Sequence, residues 1–336
     1  MRRMSPFVNN LGDADYAAVL REMAARTRAW QGPMVIVAHV DPDGDALGSA
    51  LALARALRSL GKSVVVPLTP PAFLRFLAEE GELSAPLTEL QPGTLLFVLD
   101  VGEPRRAAGA PLDGAAAVFN LDHHGTNARF GDLAVVEPSK AATAVLIKEF
   151  IDALGVTWSS DMATACLAGL LSDTGNFRFG NTNREVLTVA GELIDLGVDY
   201  VGLTDRLQWR NISYFGLLAK VMATVKFAFG GRLVYAELTD DMRDGDVDDD
   251  SDDFVGVIRY ADGAEVAVLL KERGATVKVS VRTRGGVSAQ RICLALGGGG
   301  HVAAAGATIT GTLAEAEAKM LAAVEAELNR NAGAKS

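Results

Sequence analysis

Cysteine is nearly absent from this chain. Cys166 and Cys293 are its two thiols, each inside a helix-like apolar pattern and neither with a CxxC partner. That leaves no disulfide framework and reads as buried free thiols in a reducing cytoplasm. Long apolar runs are also missing. None reaches the ~18–20 residues of a membrane span, so no membrane association is expected. The opening MRRMSPFVNN has two arginines but no apolar core, unlike a secretion signal. An excess of basic charge is lacking as well, with 32 Lys and Arg against 42 Asp and Glu and a net charge of −10. Grip on long nucleic acid comes from neutralising phosphates over a broad basic surface. The balance here argues against long duplexes and for a small anionic substrate met by a few local arginines. Histidine is scarce too, four residues in all, so their positions carry weight.

The 336 residues suit two domains. The first, 1–196, alternates apolar strand-like runs with helical patterns. MVIVAH (34–39), SVVVPL (63–68), TLLFVLD (94–100) and AAVFNLD (116–122) suit strands buried on both faces. ALGSALALARALRSLG (46–61), ATAVLIKEFIDALG (142–155) and DMATACLAGLLSD (161–173) have helical spacing. Thr182 with Glu185 forms a capping box for a helix reaching about Leu196. Such alternation predicts an α/β domain with a doubly wound, mainly parallel sheet. Residues 197–221 read as a connecting helical linker, with DRLQWRNISYFGLLAKV (205–221) as its helix. The remainder, 222–336, changes rhythm. VKFAFGGRLVYAEL (225–238) signals a hairpin with a Gly-Gly turn, and EVAVLLKERGATVKVSVRT (265–283) another antiparallel pair. A helix from Val287 to Leu296 runs into GGGGH, and Thr312 with Glu315 caps a C-terminal helix. That is a smaller α+β domain. The acidic stretch 240–253 fits no EF-hand register, since the glycine and the final acid fall wrongly from either Asp244 or Asp246. It reads as a solvated loop.

The histidines gather with aspartates at strand ends. His39, Asp43 and Asp45 fall in the turn between the first strand and its helix. Open α/β sheets bind ligands at the carboxyl ends of their strands, and carboxylates crowded there repel unless cations neutralise them. The competing view makes Asp41, Asp43 and Asp45 turn formers and helix caps. Further along, Asp100 ends one apolar run, Asp122, His123 and His124 end another, and Asp173 follows a helical run. Imidazoles with carboxylates and no thiolates suit Mn²⁺, Mg²⁺ or Fe²⁺.

The set HVDPDGD, VLDVG, LDHH and LLSDTGNF resembles the four motifs of the DHH phosphoesterase superfamily, and VSVRTR with LGGGGHVAAAG resembles its DHHA1 domain. Length and plan resemble the bacterial nanoRNase/pAp-phosphatase (NrnA-like) branch. The resemblance implies two divalent cations, most simply Mn²⁺. His39, Asp43 and Asp100 would hold one, and Asp45, Asp100, His123 and Asp173 the other, with Asp100 bridging. Asp122 would orient the site, and His124 would face the substrate phosphate. Arg106 matches an arginine the family points at its substrate, with Arg105 beside it as the alternative. Arg282 on its strand, and Arg284, which alternation puts on the same face, would fork onto a phosphate. Gly298, Gly299 and Gly300 would let backbone N–H groups approach it, with His301 alongside. Thr283 stands where the family often has serine.

The implied reaction is in-line attack on phosphorus by a hydroxide held between the cations. Expected substrates are short RNA oligonucleotides, dinucleotides such as pApA, or pAp. Cyclic-di-AMP hydrolysis and RecJ-type exonuclease action are the alternatives, and a non-catalytic nucleotide-binding regulator is a more distant one. The oligomeric state is left open, a homodimer included.

Overall fold

A computed structural model describes residues 16–243 and 250–333. The chain divides into two compact units, the first ending at Trp209 and the second beginning at Arg210.

In the first unit the elements run α1 (Tyr16–Ala29), β1 (Met34–His39), α2 (Gly44–Ser59), β2 (Val64–Val65), β3 (Leu95–Leu99), β4 (Ala107–Ala108), β5 (Ala117–Asp122), β6 (Leu133–Val136), α3 (Thr143–Leu154), α4 (Ser160–Asp173), α5 (Arg184–Asp195) and α6 (Tyr200–Gln208). The sheet order is β2-β1-β3-β5-β6, every neighbour parallel, with the short β4 antiparallel on β1. Period-two alternation divides the strands between two cores. Met34, Ile36, Leu95, Phe97 and Leu99 join the apolar faces of the helices, whereas Val35, Val37, Leu96 and Val98 face Leu87, Leu90, Leu112 and Phe130. The mainly parallel sheet is as expected. Its second face, however, is covered by loop residues rather than helices. Segments 83–93 and 102–114 are rich in Pro and Gly and lack helical spacing.

Two glycines let α2 and α4 approach closely. A Cβ on Gly48 would stand 2.3 Å from the Ala165 carbonyl oxygen, and one on Gly169 would stand 2.9 Å from Asp45 Oδ1. A side chain at either position would push Asp45 away from the strand ends.

The second unit holds α7 (Ile212–Met222), β7 (Lys226–Ala228), β8 (Leu233–Leu238), α8 (Phe254–Ile258), β9 (Val266–Arg273), β10 (Thr276–Thr283), α9 (Ala289–Ala295), β11 (Gly299–Gly300), β12 (Ala304–Thr310) and α10 (Leu313–Gly333). Its sheet, β11-β12-β10-β9-β8-β7, is antiparallel except for the β8–β9 pair. Val277, Val279 and Val281 pack with α9 and α10, and Ala267 and Leu269 with α7 and α8. Both expected hairpins form. Thr312 and Glu315 cap α10 reciprocally, by bonds of 2.9 and 3.3 Å.

Three local expectations change. The helix expected through 205–221 is broken, because Asn211 caps a new helix by accepting the Tyr214 N–H at 2.8 Å. The cap of α5 is Asn183 rather than Thr182, and Glu185 is drawn instead to Lys140. Of SVVVPL only Val64–Val65 pairs in the sheet, and the chain turns at Val66–Leu68. Within the acidic stretch, residues 244–249 lie outside the described residues. Cys166 and Cys293 are buried and free. No helix among the described residues is long and apolar enough to cross a membrane.

Candidate metal centre

From β1 the chain passes to β2 on one side, and then to β3, β5 and β6 on the other. The carboxyl ends of β1, β3 and β5 therefore meet where the winding reverses, the place such sheets reserve for ligands. His39 closes β1, Asp100 follows β3, and Asp122, His123 and His124 lie at the end of β5. The start of α2 adds Asp43 and Asp45, and the last residue of α4 is Asp173.

All six expected ligands come together. His39 Nε2 lies 3.5 Å from Asp100 Oδ2 and 3.8 Å from Asp43 Oδ1. His123 Nε2 lies 3.6 Å from Asp100 Oδ1 and 3.2 Å from Asp173 Oδ2. Two triads, His39–Asp43–Asp100 and Asp45–Asp100–His123, each have ligand atoms within 4.8 Å of one another, and Asp100 belongs to both. The cap and ligand readings of Asp43 are compatible, since its Oδ1 accepts the Asp45 and Ala46 N–H groups at 3.0 Å. Asp100 adopts a left-handed backbone (φ +58°). A non-glycine residue held there costs ~1–3 kcal/mol, a strain found where surroundings over-determine a functional position. Its N–H donates to Leu121 O at 3.0 Å, which ties it to β5.

The donor set fits divalent cations. Nδ1 of His39 lies 2.8 Å from Val40 O, and Nδ1 of His123 lies 3.2 Å from Lys140 O. Ring N–H groups engaged by carbonyls leave both Nε2 atoms toward the carboxylates, the arrangement typical of metal-binding imidazoles. Without a cation, the histidines must serve as counter-charges. Burial disfavours a charged His39, yet Asp100 and Asp43 hold it up at about 11. His123 behaves alike, raised to about 11 by Asp173 and Asp100 against burial. Burial and the neighbouring carboxylates push Asp45 well up, whereas burial outweighs His123 at Asp173 and lifts it to about 6. Asp100 goes the other way, its own burial overcome by His39, His123 and His124.

His124 is placed differently. Its Nδ1 lies 2.7 Å from Asp122 Oδ1, and Asp122 is fully buried. The other oxygen of Asp122 accepts from Asn127 Nδ2 at 2.6 Å, and the same amide reaches Asn120 and Val101. The His124 pKa is raised, because Asp122 and Asp100 outweigh burial.

The remaining expected site residues belong to neither triad. Arg106 is exposed beside the first triad, its carbonyl accepting the Val40 N–H at 2.9 Å, while Arg105 pairs with Glu103. In the second unit Arg282 is half-buried on β10. Arg284, expected on the same face, instead donates to the Ala264 and Ala261 carbonyls at 2.5 and 2.7 Å. Those bonds give it a structural task. The glycines also divide. A Cβ on Gly298 would meet Gly306 O at 2.1 Å, and one on Gly300 would meet Ala305 Cα at 2.7 Å, whereas Gly299 faces open space. His301 is exposed.

Sequence reasoning passed over Thr143, Lys140 and Asn127. The Thr143 hydroxyl reaches Asp100 Oδ1 at 3.1 Å. Lys140, besides its carbonyl at His123, is clasped by Glu149 and Glu185 at 2.7 and 2.5 Å. Asn127 lies just beyond the Asp-His-His run, the one available signal.

The DHH family N-terminal domain matches residues 33–170, and the DHHA1 domain matches residues 230–330. The bifunctional oligoribonuclease and PAP phosphatase NrnA of Thermus thermophilus is 54% identical over 322 residues, 96% of this chain and 98% of that protein. The chain belongs to the DHH/DHHA1 phosphoesterase superfamily. Membership makes it an enzyme of the phosphoesterase class. An exopolyphosphatase-related protein from Bacteroides fragilis shares the fold, with a TM-score of 0.79 and 23% identity over 92% of this chain and 96% of that one. RecJ from Thermus thermophilus in complex with Mn²⁺ has a TM-score of 0.54 and 20% identity over 93% of this chain and 55% of that one.

Proposed function

We propose that this DHH/DHHA1 phosphoesterase uses two divalent cations, most simply Mn²⁺, to hydrolyse short oligoribonucleotides, linear dinucleotides and the 3′-phosphate of pAp. The observation that carries it is Asp100, whose two oxygens face different imidazole–carboxylate groups. The substrate class is that in the name of the relative at 54% identity.

His39, Asp43 and Asp100 would hold one cation, and Asp45, Asp100, His123 and Asp173 the other. Bound there, the pair would supply an activated water and neutralise charge building on the phosphoryl oxygens. The chain's own residues do the rest. Asp122 holds Nδ1 of His124, which fixes the ring and favours its protonated form. A protonated imidazole can donate to a phosphoryl oxygen as its charge grows, and one such donor contributes ~10²–10³-fold to rate. Arg106, Arg282, Gly299 and His301 are the proposed phosphate-binding groups. Gly298 and Gly300 would shape that loop by packing on β12. Two buried free thiols fit a cytoplasmic setting.

The test is a substrate panel with Mn²⁺: pAp, pApA, cyclic-di-AMP, pyrophosphate and RNA of increasing length. We expect pAp and dinucleotides to lead, with kcat/KM falling steeply beyond a few nucleotides. Equal or faster digestion of a 24-mer, compared at equal concentration of 5′ ends, would move the chain to RecJ-type action.

A further inference from the structure

We propose that Thr143 is a positioning residue that divides the Asp100 carboxylate between the two cations, an inference that rests on the two-cation reading above. Thr143 is fully buried and is the first residue of α3. Its hydroxyl lies 3.1 Å from Asp100 Oδ1, the oxygen turned toward His123 and His124, while Oδ2 is turned toward His39. A hydroxyl donates one hydrogen, so Oδ1 keeps a lone pair for a cation. Carboxylate rotation is otherwise soft and roughly two-fold. A donor on one oxygen pins the plane, and so keeps one oxygen for each site.

The backbone at the same residue holds the second site from the other side. Ala142, which precedes α3, offers no side-chain cap. Asp45 of α2 supplies it, with Oδ2 accepting the Thr143 N–H at 2.6 Å and Oδ1 the Ala144 N–H at 2.8 Å. The start of α3 thus grips two of the ligands assigned to the second cation, Asp45 through amides and Asp100 through the hydroxyl. The positive end of the helix favours both as carboxylates. At the first residue of α3 the helix has no earlier turn to offer a carbonyl, and the buried hydroxyl is satisfied by Asp100 on another element.

The consequence is specific to the second ion. Thr143→Val keeps the shape and both amide donors but removes the hydroxyl, and Thr143→Ser keeps the hydroxyl. Mn²⁺ titration by calorimetry, followed by electron paramagnetic resonance, reads the outcome. Wild type should take up two ions with an exchange-coupled spectrum. Thr143→Val should keep the tighter ion, weaken the second ~10–100-fold as other groups supporting metal ligands do, and show the uncoupled six-line signal at intermediate loading. Thr143→Ser should recover the second ion to within a few-fold. Should the Val variant not fold, as judged by its melting in chelator, Thr143→Ala removes the same hydroxyl and carries the same expectation. A two-ion isotherm and coupled spectrum unchanged in the Val or Ala variant would overturn the role. Failure of wild type to bind two ions would instead overturn the two-cation reading on which it stands.

Discussion

The candidate metal centre of the first unit and the core of the second treat buried charge in opposite ways. At the strand ends of the first, Asp45, Asp100, Asp122 and His123 are all buried, and there the carboxylates outnumber the cationic partners near them. In the second, a buried carboxylate such as Glu327 is matched by Arg291, whose guanidinium reaches both of its oxygens at 2.9 and 2.5 Å. Arg284 is likewise consumed by backbone carbonyls. Charge that is balanced within the chain builds structure. Charge left in surplus is where a cation would relieve repulsion, because unneutralised carboxylates in a low-dielectric setting repel strongly.

The largest expected effect breaks the first unit's surplus at its shared member. Asp100→Ala removes a carboxylate from both triads and should lower activity more than ~10³-fold, beyond the loss of a single transition-state donor. Chelation should abolish wild-type activity and Mn²⁺ should restore it, while the variant should not recover. Full activity in Asp100→Ala would end the two-cation reading.

The next comparison lies inside the Asp-His-His run. His123→Ala should reduce bound metal, since its Nε2 lies among Asp100 and Asp173. His124→Ala should leave metal content near wild type and lower kcat ~10²–10³-fold, since Asp122 engages its Nδ1. Metal analysis and steady-state rates on both variants check this. Loss of an ion from His124→Ala with full occupancy in His123→Ala would exchange the two roles.

The sequence made the surplus legible where local order carries it. An apolar run such as TLLFVLD that ends in Asp places that Asp at a strand end whatever follows, so Asp100 and Asp122 could be read directly. Thr143 could not be read, because its partners Asp45 and Asp100 lie 98 and 43 residues away. Alternation placed Arg284 on the face of Arg282, but β10 ends at Thr283 and the chain turns through Gly285 at φ +69°. Past the last strand residue, period two no longer applies. The four glycines look equivalent in sequence, and only the approach of β12 separates Gly298 and Gly300 from Gly299. The capping box at Thr182 failed because Asn183, an equally good cap, stands one residue later.

That difference between the two arginines can be sharpened by experiment. Arg282→Ala should raise KM for pApA by the ~1.5–3 kcal/mol of a charged hydrogen bond, with kcat and metal content held. Arg284→Ala should leave KM alone and lower the melting temperature, because two backbone carbonyls lose their donor. A KM effect confined to Arg284→Ala would reverse the assignment.

The smallest effect tests whether balanced charge behaves alike in both units. Glu82 in the first is gripped by Arg55 at 2.9 and 2.6 Å, and Glu327 in the second by Arg291. Burial alone would raise the Glu82 pKa, but the arginines hold it below the usual carboxylate value. The Glu327 pKa is lowered chiefly by the Arg291 hydrogen bonds, against burial. For a carboxyl whose folded pKa lies below its unfolded one, the stability it contributes is present above the unfolded value and lost as pH falls through the folded value. Glu82→Gln and Glu327→Gln keep the shape and remove the charge. Each should lower the melting temperature at pH 7 by an amount corresponding to ~1–2 kcal/mol, and the gap to wild type should close as the pH is taken below about 4. Neither variant should alter Mn²⁺ stoichiometry or kcat. Melting curves across that pH range decide the matter. A gap that stays constant with pH would mean that the lost packing, and not the charge, carries the contribution, and a gap found in one unit alone would mean that the balance is not common to both.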